Sequence, residues 1–298
     1  GEWKTGNWNT DPGGQNKRLD WDDRMVAHFT VPCHVMIDGQ VTAERIAFES
    51  DDCIVDQGRI LFSEGLRLEV KDDSHGVIKS VLDGGRKRPP YVWENKKWGF
   101  PFAGLYKEGN GTLTLAGQNL YSGPTTITGG ALIVATPHAV SPKTSFRPEP
   151  GTVLAAGYPI DQDLLARVYA DIAVSFTIAL AADSENDLDF TSNKGLRAAY
   201  LGAIGEVRYG GSITPAKNTY RLGGGGGRLV MVEPLTCKRD VFIGGYRATG
   251  EVELAASSDI SPPVINGVTL TMGKAIVPPS PNAMSARQLP GNRAELSW

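Results

Sequence analysis

The sequence predicts an all-β solenoid, a parallel β-helix with one short helical excursion near residues 161–172. Three observations predict it: helix signals are nearly absent, a glycine-led strand motif recurs, and neighbouring copies lie about one coil apart. The motif reads Gly-x-(Leu/Val)-x-apolar. It stands at Gly111-Thr-Leu-Thr-Leu115, Gly130-Ala-Leu-Ile-Val134, Gly205-Glu-Val-Arg-Tyr209, Gly227-Arg-Leu-Val-Met231 and Gly250-Glu-Val-Glu-Leu254, with a weaker copy at Gly58-Arg-Ile-Leu-Phe62. The first two starts are 19 residues apart, and the last three are separated by 22 and 23. Alternation puts Leu113 and Leu115 on one face and Thr112 and Thr114 on the other. A glycine ahead of each strand permits a turn at positive φ. A unit of roughly 20 residues with one strong strand cannot cover its own apolar side, whereas stacked copies can. A β-sandwich is the alternative, but its turn signals come about every 8–12 residues and need not share a motif.

The helical stretch begins at Asp161, a residue suited to capping, after which Leu164, Leu165, Val168 and Ile172 recur near the helical period. Elsewhere short apolar alternations are punctuated by Gly, Asn, Asp and Pro. The 298 residues read as one β-helix domain over 1–298, with an aromatic and basic insertion at 86–106 and an irregular Pro-rich tail at 256–298. That tail, with Ser261-Pro-Pro263 and Pro278-Pro279-Ser-Pro281, is suited to capping one end of the stack or lying across a second subunit.

Thirty basic against thirty-three acidic residues give a net charge of −3, so no global field draws the chain to nucleic acid or an anionic membrane. The longest apolar run, residues 172–182, is shorter than the roughly 18 residues that a membrane helix needs, so no membrane insertion is expected.

One stretch resembles a known family. It runs from Lys107-Glu-Gly-Asn-Gly-Thr-Leu-Thr-Leu115 through Asn119-x-Tyr121-x-Gly123 to Gly130-Ala-Leu-Ile-Val134 and resembles the autotransporter-associated β-strand repeat of bacterial passenger domains and large exported surface proteins. The opening, with Trp3, Asn7-Trp8 and Trp21, and the stretch from Leu180 to Gly227 are similar to segments of the same proteins. The resemblance implies a right-handed parallel β-helix, export, and a structural or adhesive role at the bacterial surface. It implies no catalytic residue, because a way of building a rod is not an activity. On this reading the chain is a non-enzymatic extracellular protein that assembles with copies of itself or with other surface proteins, as a layer or filament. The alternative is a carbohydrate-active β-helix protein, a polysaccharide lyase or a glycan-binding module. No membrane barrel follows the repeats within the 298 residues, so self-translocation is not expected.

Candidate site residues come from three places. The insertion interleaves Arg86, Arg88, Lys96 and Lys97 with Tyr91, Trp93 and Trp98, a mixture that suits a polysaccharide or a protein partner. Its bland role is to cover the rod's apolar side. Asp183, Glu185, Asp187 and Asp189 cluster oxygen donors of the kind that hold Ca²⁺, although the glycine and downstream glutamate of an EF-hand loop are missing. No other cofactor is implied. Cys33 and Cys53 are twenty residues apart, about one coil, so stacking brings them near disulfide range, and export permits the bond. Gly223 to Gly227 lacks the Lys-Ser/Thr of a phosphate loop and fits a tight connection between coils. His28, His34, His75 and His138 share no metal-ligand spacing, and no G-x-S-x-G elbow is present.

Overall fold

A computed structural model describes residues 2–4, 8–9, 19–23, 25–85, 91–92, 97–98, 103–171, 174–235, 239–255 and 258–273. Its spine is a sheet of eleven strands: Cys33–Met36, Cys53–Asp56, His75–Ile78, Thr112–Leu115, Ala131–Val134, Val153–Ala156, Thr177–Leu180, Tyr200–Ala203, Thr219–Leu222, Asp240–Ile243 and Val264–Ile265. Neighbours pair in parallel throughout, so each return of the chain adds one coil to a β-solenoid. The parallel β-helix holds and the sandwich does not.

The other faces change along the axis. Through Gly84 each coil takes three strands, passing from a six-stranded sheet to the spine and on to a three-stranded sheet. The six are Ala27–Phe29, Arg45–Phe48, Leu66–Val70, Leu105–Glu108, Thr125–Ile127 and Phe146–Pro148. The three are Gln40–Thr42, Arg59–Phe62 and Val81–Gly84. In the last coils the partner face is a four-stranded sheet of Glu206–Tyr209, Arg228–Met231, Glu251–Leu254 and Thr269–Met272.

In-register stacking makes the core a set of columns. Leu113, Leu132, Leu154, Ile178, Leu201, Leu222 and Ile243 are successive partners on the spine, and none is more than 1 % exposed. Each such side chain contributes roughly 1.5–3 kcal/mol by leaving water. Coils are tied by side chains as well. Asn119 Oδ1 accepts from the Leu82 amide at 2.8 Å, and its Nδ2 donates to the Ala139 carbonyl at 2.7 Å. One buried amide thereby links the coil below to the coil above. Thr144 Oγ1 donates to the Tyr121 carbonyl at 3.0 Å, and the Tyr121 and Thr125 hydroxyls share a bond of 2.7 Å.

All six copies of the glycine-led motif enter strands, on three different sheets. The motif therefore marks a corner rather than one face. A Cβ on Gly227 would lie 2.2 Å from the Gly205 carbonyl oxygen, and one on Gly111 would lie 2.1 Å from that of Lys71. Neither needs positive φ. The sequence expectation of a left-handed turn holds at Gly130 and Gly205 (φ +60° and +75°), but for Gly111 and Gly227 the cause is the close approach of stacked corners.

Two boundaries differ from expectation. The helix is only Gln162–Ala166, capped by Asp161 Oδ1, which accepts from the Leu164 amide at 3.0 Å. It stops there because Val168 rejoins the six-stranded face in a parallel bridge with Phe146; Ile172 lies outside the described residues. The tail is regular further than expected: Val264–Ile265 and Thr269–Met272 add one more coil after Pro262 and Pro263.

Candidate functional site

Register locates the one departure from a smooth rod. Partners on the spine are 19 to 24 residues apart at every step except one: Gly76 pairs with Leu113, 37 residues on. Removing the 17 residues 86–102 returns that coil to an ordinary 20. The chain leaves at Gly85, after Val81–Gly84, and returns at Ala103, before Leu105–Glu108. The exit is pinned, since the Ala103 amide donates to the Gly85 carbonyl at 3.2 Å. Beyond it Tyr91–Val92 and Lys97–Trp98 pair antiparallel, with Tyr91 opposite Trp98 and Val92 opposite Lys97. The insertion is thus an excursion carrying a short hairpin ladder, and the solenoid closes beneath it. Arg86, Arg88, Trp93 and Lys96 lie outside the described residues, and of Tyr91, Lys97 and Trp98 only the backbone is described.

The excursion returns beside the outward row of the six-stranded sheet. Arg45, Arg67, Tyr106, Thr126 and Arg147 are successive register partners there. Arg45 pairs with Glu69 at 2.5 Å, Arg67 pairs with Glu108, and the Arg67 guanidinium lies 5.0 Å from the Tyr106 ring centre. These exposed pairs fix side-chain positions more than they stabilise the fold.

Two members of the acidic cluster, Asp183 and Asp187, tie one coil to the next, and Asp189 closes a local turn. Asp183 Oδ1 accepts from the Arg208 amide at 2.8 Å, and Asp187 Oδ1 accepts from the Ser212 amide and hydroxyl at 2.8 and 2.7 Å. Asp189 Oδ1 accepts from the Thr191 amide and hydroxyl at 2.7 and 2.6 Å. The Ser212 hydroxyl and amide hold Asp187 below its ordinary pKa, and Thr191 does the same for Asp189. Glu185 is exposed. Among the described residues no group of three or more His, Cys, Asp and Glu side chains converges to hold a metal.

Cys33 and Cys53 are register partners on the spine, as their spacing predicts, but the expected disulfide is corrected: both thiols are free. Directly facing positions in a parallel ladder keep their Cβ atoms near the strand spacing of about 4.8 Å, beyond the roughly 3.5–4.5 Å that a disulfide requires. Burial pushes the Cys33 thiol up to about 12, with Cys53 adding to the effect. Burial also raises Cys53, whose Sγ donates to the Val31 carbonyl at 3.3 Å.

One residue that the motifs did not single out is Lys107, fully buried on the inward side of its strand. Its Nζ donates to the carbonyls of Glu108, Gly109 and Gly129 at 3.0, 2.7 and 3.0 Å. Burial pushes the ammonium down to about 7, partly opposed by Asp72. Alternation with Leu105 is the signal that places it inside.

The residues that carry the family resemblance are structural. Asn119 and Tyr121 bridge coils, and a Cβ on Gly123 would lie 2.3 Å from the Ala103 carbonyl oxygen. No curated protein and no solved structure matches the chain significantly. One family profile does match, Passenger-associated-transport-repeat, over residues 105–134. That span covers the coil on which the excursion closes and the next one up, and over it the chain is similar to the passenger-associated transport repeat.

Proposed function

We propose that the chain is a rigid, non-enzymatic spacer of an exported bacterial surface protein, and that it displays the 86–102 excursion as an adhesive contact. The observation that carries this reading is the single long coil. A parallel ladder holds register from Cys33 to Ile265, and its one large excursion is aromatic, basic and pinned at the base. The transport-repeat match at 105–134 supports export to the surface. Trp, Tyr and Arg are the residues that anchor recognition, and a rigid support spares the cost of ordering the rod on binding.

The test joins Gly85 directly to Ala103, deleting 86–102. The variant keeps a 20-residue coil, so its circular dichroism and melting temperature are expected to stay within a few degrees of the parent. Its binding to bacterial or host cell surfaces is expected to fall to background. Undiminished binding overturns the adhesive reading, and collapse of the fold makes the excursion a cover for the core.

A further inference from the structure

We infer that the solenoid carries a second binding site, an open cleft suited to an acidic sugar residue, one coil beyond the six-stranded sheet. Three successive coils build it. Arg147 is the last of the outward row described above. The next coil is set by the Phe146–Val168 bridge and by the Tyr169 amide, which donates to the Phe146 carbonyl at 2.8 Å; this places Tyr169 over Arg147. The coil after that passes through Lys194 and Gly195, the latter so close that a Cβ would lie 2.9 Å from the Ala170 nitrogen. Arg147, Tyr169 and Lys194 thus line one cleft of about 690 Å³, within the usual range for small-ligand sites.

The cleft is built rather than incidental. Its lining includes the small residues Ala166, Ala170 and Gly195. Its polar wall is fixed from behind. Gln162 Nε2 donates to the Asp189 carbonyl at 3.0 Å and to Ser192 Oγ at 2.7 Å, while its Oε1 accepts from the Asp189 amide at 2.9 Å. Asn193 Nδ2 donates to the Val168 carbonyl at 2.5 Å, and its Oδ1 accepts from the Gly195 amide at 2.9 Å.

The chemistry of the lining names the ligand. Tyr169 is 62 % exposed, a large aromatic face offered to solvent, which suits the apolar face of a pyranose. Among the described residues the lining holds two cations and no carboxylate; Asp163 and Asp171, nearby in the chain, do not line it. A carboxylate on the sugar pairs with Lys194 while its ring stacks on Tyr169. A neutral sugar forgoes the ion pair, and a free inorganic anion forgoes the stacking. This site does not rest on the adhesive reading.

Titration calorimetry of the whole chain tests it with trigalacturonate, maltotriose and sulfate. Trigalacturonate is expected to bind at least tenfold more tightly than either of the others. Tyr169→Ala and Lys194→Glu are each expected to weaken it about tenfold or more, the fold-change of one lost strong contact. The exposed Lys194→Glu decides the matter if Tyr169→Ala loses structure. The 86–102 deletion is expected to bind trigalacturonate as the parent does. Equal affinity for sulfate, no heat at millimolar trigalacturonate, undiminished binding by Lys194→Glu, or loss of binding in the deletion each overturns the site.

Discussion

The two ends of the described solenoid are finished differently. At the first coil Glu2 pairs with Met36 in parallel, and the Trp3 amide donates to the Met36 carbonyl at 2.9 Å, so the spine's first strand has a covered edge. Trp3 is fully buried, with the rings of Trp8, Trp21 and Phe29 packed on it at centroid distances of 5.1, 5.1 and 5.7 Å. The Trp21 indole donates to the Thr42 carbonyl at 3.1 Å, tying the plug to the coil wall. At the other end Val264 and Ile265 are 55 % and 52 % exposed, although Ile265 continues the inward column of Ile243. The same column is dry in the middle and wet at its last member. A stack of coils needs something to stand in for the missing neighbour, and only the first coil has it among the described residues.

That contrast yields graded predictions. Trp3→Ala removes the plug and is expected to cost about 3–5 kcal/mol, read by chemical denaturation, with loss of protection beginning at the first coils. A loss below 1 kcal/mol would show that the plug is dispensable. Lys107→Met, in the middle, strands three carbonyls and is expected to cost about 2–3 kcal/mol. It also removes a pH dependence whose sign is fixed. Lys107 is held down to about 7 in the fold, whereas a free lysine titrates near 10.4. Between these values the unfolded chain keeps the proton that the folded chain has lost, so the parent gains stability as pH rises through the window. The variant is expected to show a flatter profile, and parallel profiles would refute the assignment.

Gly227→Ala and Gly205→Ala separate the two reasons for a corner glycine. At Gly227 the new methyl meets the Gly205 carbonyl oxygen, whereas at Gly205 nothing lies within 4 Å and only the backbone conformation objects. The first is expected to cost about 2–3 kcal/mol and the second about 1 kcal/mol by thermal melts, and equal costs would mean that the corners do not press on one another. Ile265→Ala, in the last described strand of the spine, is expected to change stability by less than about 0.5 kcal/mol, because the side chain is already half in water. Asp187 has the smallest effect. Its lowered pKa means that its contribution is present above about pH 4 and fades as pH falls. Asp187→Asn is expected to matter at neutral pH and not in acid.

The sequence made the coil legible because in-register stacking repeats one physical demand. Apolar residues alternate on every strand, and a glycine stands where corners touch, so Gly-x-Leu-x-Leu returns at coil spacing. The excursion was legible from composition, and the register narrowed it from 86–106 to 86–102. What could not be read depends on neighbours far along the chain. Periodicity ran the helix on to residue 172, but Val168 is claimed by Phe146, twenty-two residues earlier. Spacing gave the Cys33–Cys53 register but not the state of the thiols, which the separation between stacked strands leaves free. The cleft was invisible because Arg147, Tyr169 and Lys194 share no motif and meet only through three coils of different content.

The neck at Gly85 and Ala103 has a practical consequence. Its two strands of chain are already held together by an amide–carbonyl bond, and the coil beneath is complete without what lies between. Any guest polypeptide whose own ends meet at a few ångströms can replace the hairpin without altering the pitch of the rod. Natural relatives that exchange one loop for another at this corner would change what the rod carries while keeping how it is built.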